Sequence, residues 1–250
     1  MKRWLLPPLL LAGLIGAWQI AASSGALASV FGVPDFLVPS PAEIASSLWE
    51  SRSLLAENAW VTLREILLGL GCALIVGLGF AGLMHSSETI RRASYPLIVA
   101  SQTIPIVVVA PILLVWFGFG IGPKLAIVAL ICFFPITVNA LDGLRSADPQ
   151  AIKLMRSLDA SRWQILRRVE IPTALPNLFT GAKIAVVLAP IGAVFGEWAG
   201  SNSGLGHLIL TDGGYLEVAR QFAAVVVLSA MALVLIGLLA LAERRVVTWR

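Results

Sequence analysis

Only a few residues of this sequence have a type and a position that could support chemistry. The two cysteines, Cys72 and Cys132, lie in apolar runs, with neither a CxxC pair nor a Cys/His cluster. Metal and redox centres need such clusters, so we interpret both as small buried hydrophobic side chains. The chain also lacks a GxxxxGK(S/T) loop, an HExxH motif, a GxSxG motif and paired carboxylates at catalytic spacing. The sequence therefore predicts neither an enzyme nor a bound cofactor or metal.

Polar residues inside apolar runs are the remaining candidates, because burial in lipid is costly for such groups. Glu197 lies near the end of one run, and Gln102 and Asn139 lie in two others. Side chains of this kind can line a pathway for a solute, and they can equally hold neighbouring helices together. For Glu197, a carboxylate at the membrane interface is a further alternative. We take these three as candidate translocation-pathway residues.

These candidates must be positioned by helices that cross a membrane. The chain is 58% hydrophobic and 13% charged, whereas soluble domains are about a quarter charged. Its mean hydropathy is +0.89, and six apolar runs approach the roughly 20 residues that span a bilayer. They cover residues 4–22, 61–84, 96–117, 125–141, 179–199 and 222–242. The predicted fold is all-α: a polytopic helical bundle of about six transmembrane helices in one domain, residues 1–250.

The basic residues indicate how the bundle is oriented. With a cytoplasmic N-terminus and six spans, 14 of the 18 Lys and Arg residues lie on the cytoplasmic side. The positive-inside rule then predicts that both termini are cytoplasmic, and it accounts for the net charge of +4 without nucleic acid. Lys2, Arg3 and the small residues 26–28 also imitate a cleaved signal. Because the apolar run is longer than the usual 7 to 15 residues, we expect it to be retained as the first span.

Three connections have local signals of their own. Ser40 and Pro41 predict a helix N-cap followed by a first helical position. A helix over residues 49–55 is expected along the outer interface. Residues 118–124, GFGIGPK, have no Ser or Thr after the lysine, and they are expected to form a turn between the third and fourth spans.

The cytoplasmic segment 143–178 is the most informative part of the sequence. It reads as two short helices, the first capped by Asp148 with Pro149 at the first helical position. The second is expected to start at an Asp159 or Ser161 cap and to stop before Pro172.

The second of these helices is predicted to be amphipathic. Trp163, Leu166 and Val169 fall on one stripe, which is flanked by polar side chains. These flanking residues are Arg162, Gln164, Arg167 and Arg168. So short a helix must pack on something to be stable. Anionic lipid head groups and a partner protein satisfy this requirement equally well.

The same segment resembles the EAA motif of ABC-importer permeases, which reads Glu-Ala-Ala, three residues, Gly, nine residues, Ile-x-Leu-Pro. Residues 160–169 and 171–176 match closely when Asp159 takes the glycine position. The resemblance implies a type I ABC importer permease fold and a coupling helix that docks on an ATPase subunit. The coupling residues it implies are Asp159, Ala160, Ser161, Arg162, Trp163, Leu166, Arg167, Val169 and Pro172.

Two residues depart from that motif. Asp159 replaces a glycine that allows a left-handed turn, and aspartate tolerates this geometry at modest cost, so we expect the loop to keep its fold. Lys153 stands where the family has glutamate. This reversal would weaken or retune the contact with the ATPase, or it would match a compensating change on the partner.

Other stretches resemble the nitrate, sulfonate, taurine and pyrimidine-precursor branch of the family. They are residues 39–43 and 62–64, Pro105 with Pro111, and residues 196–198. Residues 196–206 are similar to those of thiamine-pyrimidine-precursor permeases. The substrate in this branch is expected to be set mainly by the binding protein.

The resemblance also implies partners and a location. They are a second permease copy in a homodimer, two ATPase subunits that hydrolyse ATP, an extracytoplasmic substrate-binding protein, and the lipid of a bacterial inner membrane. The alternatives are an ion- or proton-coupled secondary carrier and a membrane-embedded enzyme. A carrier should show intramembrane relays or two related halves, and neither is evident.

Overall fold

The computed structural model describes residues 6–249, and every regular element in that range is helical. Lys2, Arg3 and Arg250, which contribute to the orientation argument, lie outside the described residues. In chain order the helices are α1 (Leu6–Ser23), α2 (Ala26–Phe31), a 3₁₀ turn (Asp35–Leu37), α3 (Pro41–Glu50), α4 (Arg52–Ser86), α5 (Glu88–Ser101), α6 (Ile106–Phe117), α7 (Ile121–Arg145), α8 (Pro149–Ser157), α9 (Arg162–Ile165), a π-helical turn (Leu166–Glu170), α10 (Ile171–Gly200), α11 (Leu205–Gly214) and α12 (Val218–Val246).

The helix lengths confirm the predicted membrane bundle. Within residues 6–249, five helices have the length and composition of a membrane span, and the bent pair α5–α6 is a sixth if it is counted as one broken span. The most apolar stretch of α1 buries none of its residues, and that of α12 buries 6%. Because apolar side chains are stable against lipid, such exposed surfaces are expected for membrane helices.

The third predicted span, residues 96–117, is wrong as a continuous helix. The chain is helical from Glu88 to Ser101 and again from Ile106, and the two axes meet at 102°. Pro105 precedes α6 in an extended conformation, with φ −63° and ψ 121°. Proline has no N–H to donate and disfavours helix in the residue before it, which accounts for a break at this position.

Helix α3 shows both a confirmed and a wrong prediction. Ser40 caps it and Pro41 is its first residue, and the Glu43 carboxylate accepts a hydrogen bond of 2.7 Å from the Ser40 N–H, completing a capping box. The predicted helix over residues 49–55 is wrong only as one continuous helix: α3 ends at Glu50 and α4 begins at Arg52, so the helix is interrupted at Ser51.

The described residues form two compact units. The first comprises residues 6–61 and 203–229, in which Trp18 packs against Phe222 and the Gln19 side chain accepts a hydrogen bond from the Ala42 N–H. A bidentate ion pair joins Arg220 to the buried Asp212, with distances of 2.6 and 2.9 Å.

The second unit comprises residues 62–202 and 230–249, and its core lies where α4, α7 and α10 pack. Cys132 is buried in that core, as predicted, whereas Cys72 is exposed, so its prediction as a buried residue is wrong. Gly181 lets α10 approach α7 closely: a Cβ at this position would lie 2.5 Å from the Pro135 carbonyl oxygen.

Candidate functional site

Helix α8 ends in a turn that aspartate, rather than glycine, supports. Asp159 has φ 53°, as expected for the glycine position of the motif. The Ala160 N–H donates to the Met155 carbonyl and the Asp159 N–H donates to the Arg156 carbonyl, at 3.0 and 3.1 Å. These two bonds form a Schellman motif, which satisfies carbonyl groups at the helix end and turns the chain towards α9.

Ser161 then starts α9 with a second capping box. Its hydroxyl accepts from the Gln164 N–H at 3.3 Å, and the Gln164 side chain accepts from the Ser161 N–H at 2.7 Å. Of the two predicted caps, Ser161 is therefore the residue that caps the helix, and Asp159 makes the preceding turn.

The predicted helix end before Pro172 is wrong. The chain passes from α9 through the π-helical turn directly into α10, which continues to Gly200. In this turn the Ile171 N–H donates to the Leu166 carbonyl, five residues back. The wider turn places Pro172 at the start of α10, where its missing N–H is tolerated. Helix α9, the π-helical turn and α10 are thus one continuous helical unit.

The side chains of this segment divide into an anchor and an exposed face. Ile165 is buried and is the anchor, a role that the predicted stripe missed. Leu166, Val169, Ala160 and Pro172 are half-buried, while Trp163 is 63% exposed. The remaining predicted coupling residues, Asp159, Ser161, Arg162 and Arg167, are exposed.

A hydrogen bond between two side chains attaches the segment to α4. His85, in the last turn of α4, lies 2.9 Å from Glu170 in the π-helical turn, and both side chains are about one-fifth exposed. The two residues are 85 positions apart, and no local pattern in the sequence predicts their contact.

The structure places the three pathway candidates on different elements and in different surroundings. Gln102 is exposed at the break between α5 and α6. Asn139 is half-buried in α7 and donates to the Pro135 carbonyl at 2.7 Å. Glu197 is 1% exposed near the end of α10 and accepts a 2.6 Å hydrogen bond from the Thr62 hydroxyl.

Glu197 belongs to a buried polar cluster that links α4, α7 and the end of α10. Lys124, in the first turn of α7, donates to Glu65 and to the Ser201 hydroxyl, each at 2.7 Å. Glu65 is 2% exposed and Lys124 is 8% exposed. The second Glu65 oxygen, Oε2, is buried without a hydrogen-bond partner in the described part of the chain.

Most residues of this cluster were not predicted from the sequence. Residues 118–124 were expected to form a turn, but α7 already begins at Ile121, so Lys124 is helical and buried. Glu65 carried a usable signal, because it is an ionisable residue within a predicted span, as Glu197 is.

The sequence matches a known protein family over most of its length. Residues 43–248 match the family model described as "Binding-protein-dependent transport system inner membrane component". The chain belongs to this family of ABC importer permeases. The permease is thus a multi-pass membrane protein whose partners are an ATPase subunit and a substrate-binding protein.

Similar proteins agree with that assignment. The permease is 39% identical over 94% of both chains to a probable ABC transporter permease protein of Haemophilus influenzae. It is 37% identical to the formylaminopyrimidine transport permease protein ThiX of Halalkalibacterium halodurans, covering 98% of this chain and 95% of ThiX. It is also 37% identical to the riboflavin transport system permease protein RibX of Chloroflexus aurantiacus, covering 97% of this chain and 89% of RibX.

A solved structure shows the same fold. The MetNI methionine ABC transporter in an inward facing form matches with a TM-score of 0.65 and 21% identity, covering 80% of the permease and 97% of that chain. Family membership confirms the predicted importer permease and places ATP hydrolysis on a separate subunit. The secondary-carrier alternative is not favoured.

Proposed function

We propose that residues 143–178 form the loop through which this permease couples to its ATPase. The observation that carries the proposal is the segment's construction: Ser161 caps α9, Ile165 anchors it, and Trp163 is left 63% exposed. A large exposed aromatic side chain on a rigid turn is the kind of residue that dominates binding energy when a partner covers it. The direct continuation into α10 would carry movement of the docked partner into the membrane.

The orientation and assembly follow from the same proposal. We propose that both termini are cytoplasmic. This is supported by the positive-inside rule, because Arg244 and Arg245 lie in the last turn of α12 and the coupling loop is also rich in basic residues. We propose that residues 1–250 act as one permease domain. The family match from 43 to 248 includes residues of both compact units, which supports this interpretation.

Two copies of the permease are proposed to pair with each other and with two ATPase subunits. Light scattering of the purified importer measures this directly. A complex with one copy of this chain beside a different permease would contradict the homodimer.

The substrate class is proposed to be a pyrimidine precursor of thiamine. Its support is the 37% identity, over nearly the whole of both chains, to a permease named for formylaminopyrimidine. The riboflavin permease RibX is equally similar in identity, so riboflavin is the competing substrate.

Among the three pathway candidates, Gln102 is the best placed to meet a solute, because it is exposed at the α5–α6 break. The Thr62–Glu197 hydrogen bond joins α4 to α10 and favours a structural role for Glu197. The Asn139 amide is already bonded within α7, to the Pro135 carbonyl. Gln102→Ala should then reduce transport more than stability.

One reconstitution tests the coupling loop and the substrate. The permease, its ATPase and its binding protein are placed in lipid nanodiscs, and ATP hydrolysis is measured with the binding protein loaded with formylaminopyrimidine, riboflavin or taurine. We expect formylaminopyrimidine to stimulate hydrolysis the most. Stimulation by riboflavin alone would overturn the proposed substrate.

The same preparation tests Trp163. We expect Trp163→Ala to weaken ATPase binding at least about tenfold, the effect of losing an interface hot spot. Trp49, which is 70% exposed on α3, provides the matched control. Equal behaviour of Trp163→Ala and Trp49→Ala would contradict the coupling role.

A further inference from the structure

The coupling segment concentrates the positive charge of the permease. Residues 149–168 contain five basic residues and one acidic residue, Asp159, so these 20 positions carry a formal charge of +4, equal to that of the whole chain. The basic residues are Lys153, Arg156, Arg162, Arg167 and Arg168. All five are exposed.

These five side chains are not neutralised by any of residues 6–249. Among residues 6–249, none of them makes a side-chain hydrogen bond or an ion pair, in contrast to Arg91, Arg92 and Arg220. Two nearby carboxylates already have partners: Glu170 contacts His85, and Glu88 contacts Arg91 and Arg92. The segment therefore presents free cations in contact with solvent.

The free cations surround the exposed apolar residues rather than lying apart from them. Arg156, Arg162 and Trp163 line one cleft of about 380 Å³ next to His85 and Glu170. Arg167 and Arg168 line a second cleft, which is also lined by Trp163. A surface that covers Trp163 must therefore accommodate several guanidinium groups at once.

The geometry of α10 argues against lipid head groups as that surface. The apolar run predicted from residue 179 begins eight residues after Ile171, which corresponds to about 12 Å of helix. A typical tilt of about 20° leaves about 11 Å of this projection. The head-group layer adds only about 5–8 Å to each side of the hydrocarbon. With the membrane boundary at residue 179, the π-helical turn and α9 are expected to lie beyond the head groups, within reach of a soluble partner.

We propose that the ATPase of this importer presents an acidic docking surface, with carboxylates opposite Lys153 and Arg156 around a pocket for Trp163. This inference rests on the proposed coupling role of the segment and adds the chemistry of the partner. Exposed cations speed association with a partner of opposite charge and disfavour partners of the same charge. The surface thus selects the cognate ATPase from others with neutral or basic docking surfaces.

The test measures binding of the purified ATPase subunit to the full-length permease in nanodiscs, at increasing salt concentrations. Lys153→Gln/Arg156→Gln is compared with Arg244→Gln/Arg245→Gln, which removes the same charge from exposed residues of α12. We expect the dissociation constant to rise about tenfold or more for the loop variant and less than about threefold for the control. The salt dependence of the loop variant should be shallower than that of the wild-type permease.

The contrary outcomes are distinct. If the ATPase binds the loop variant with wild-type affinity and salt dependence, the acidic surface is overturned while ATPase docking stands. If the loop variant loses binding to anionic vesicles but keeps its affinity for the ATPase, the cations serve lipid and the inference is wrong. If the wild-type permease does not bind the ATPase at all, the proposed coupling role fails and the inference fails with it.

Discussion

Replacement of Lys124 by methionine should destabilise the permease far more than its position in the first turn of α7 suggests. The ammonium group donates to Glu65 and to Ser201, and it is the only cation that forms an ion pair with Glu65 within the described residues. Methionine fills a similar volume but donates no hydrogen bond. The Glu65 carboxylate would then stay buried without the hydrogen bond that its Oε1 accepts from Lys124.

The magnitude follows from the burial of the pair. Removing one member of a buried ion pair costs about 3–5 kcal/mol, because the other charge remains desolvated. Both residues are more than nine-tenths buried, so solvent does not screen the loss. If Glu65 is also replaced by leucine, the carboxylate that Lys124 neutralised is removed as well, and the double variant should be more stable than Lys124→Met by at least about 2 kcal/mol.

The assay is reversible unfolding in mixed micelles of dodecyl maltoside and SDS, followed by tryptophan fluorescence. Lys153→Met is the matched control, since Lys153 is exposed and unpaired within residues 6–249, and it should change the unfolding free energy by about 0.5 kcal/mol or less. A Lys124→Met variant as stable as the wild type would refute the reasoning. So would a double variant whose loss equals the sum of the two single losses.

Three further changes test the helix contacts and the coupling segment. Gly181→Ala should lower the unfolding free energy by about 1–3 kcal/mol, because its Cβ would lie 2.5 Å from the Pro135 carbonyl oxygen. Gly79→Ala, with no described neighbouring atom within 4 Å, should be neutral or stabilising in the same unfolding assay. Asp159→Val should destabilise the left-handed turn by about 1–2 kcal/mol and reduce ATPase stimulation, while Asp159→Gly keeps it. Ser161→Ala should cost about 1 kcal/mol and speed amide exchange in residues 162–165.

Each of these three predictions has a contrary result. Equal stability of the two alanine variants would mean that α7 and α10 separate at little cost. A valine variant of Asp159 that stimulates the ATPase normally would show that the left-handed turn is not needed for coupling. Unchanged amide exchange after loss of Ser161 would show that Ile165 alone holds α9.

Local features were predictable because the signals that specify them are local. The caps at Ser40, Asp148 and Ser161 lie within three residues of the N–H groups they bind, and the left-handed turn at Asp159 follows from a motif position. The membrane helices were predictable too, because each is a contiguous apolar run long enough to cross the bilayer.

The contacts that escaped prediction depend on tertiary packing. Glu65 and Lys124 are separated by 59 positions, and only the packing of α4 against α7 brings them together. The helix end before Pro172 was mispredicted because a proline normally ends a helix, and the π-helical turn that accommodates it has no clear sequence signal. The presence of a proline alone therefore does not show that the helix is interrupted before Pro105 but continues through Pro172.

The unbroken passage from the π-helical turn into α10 has a mechanical consequence. Helix α10 contains 30 residues and is about 45 Å long. As a rigid lever pivoted at Ile171, it moves its far end by about 0.8 Å for each degree of tilt. Pro176 and Pro190 donate no backbone hydrogen bond, so the helix bends most easily near these two residues. A rotation of a few degrees at the coupling segment would then be enough to strain the hydrogen bond between Thr62 and Glu197.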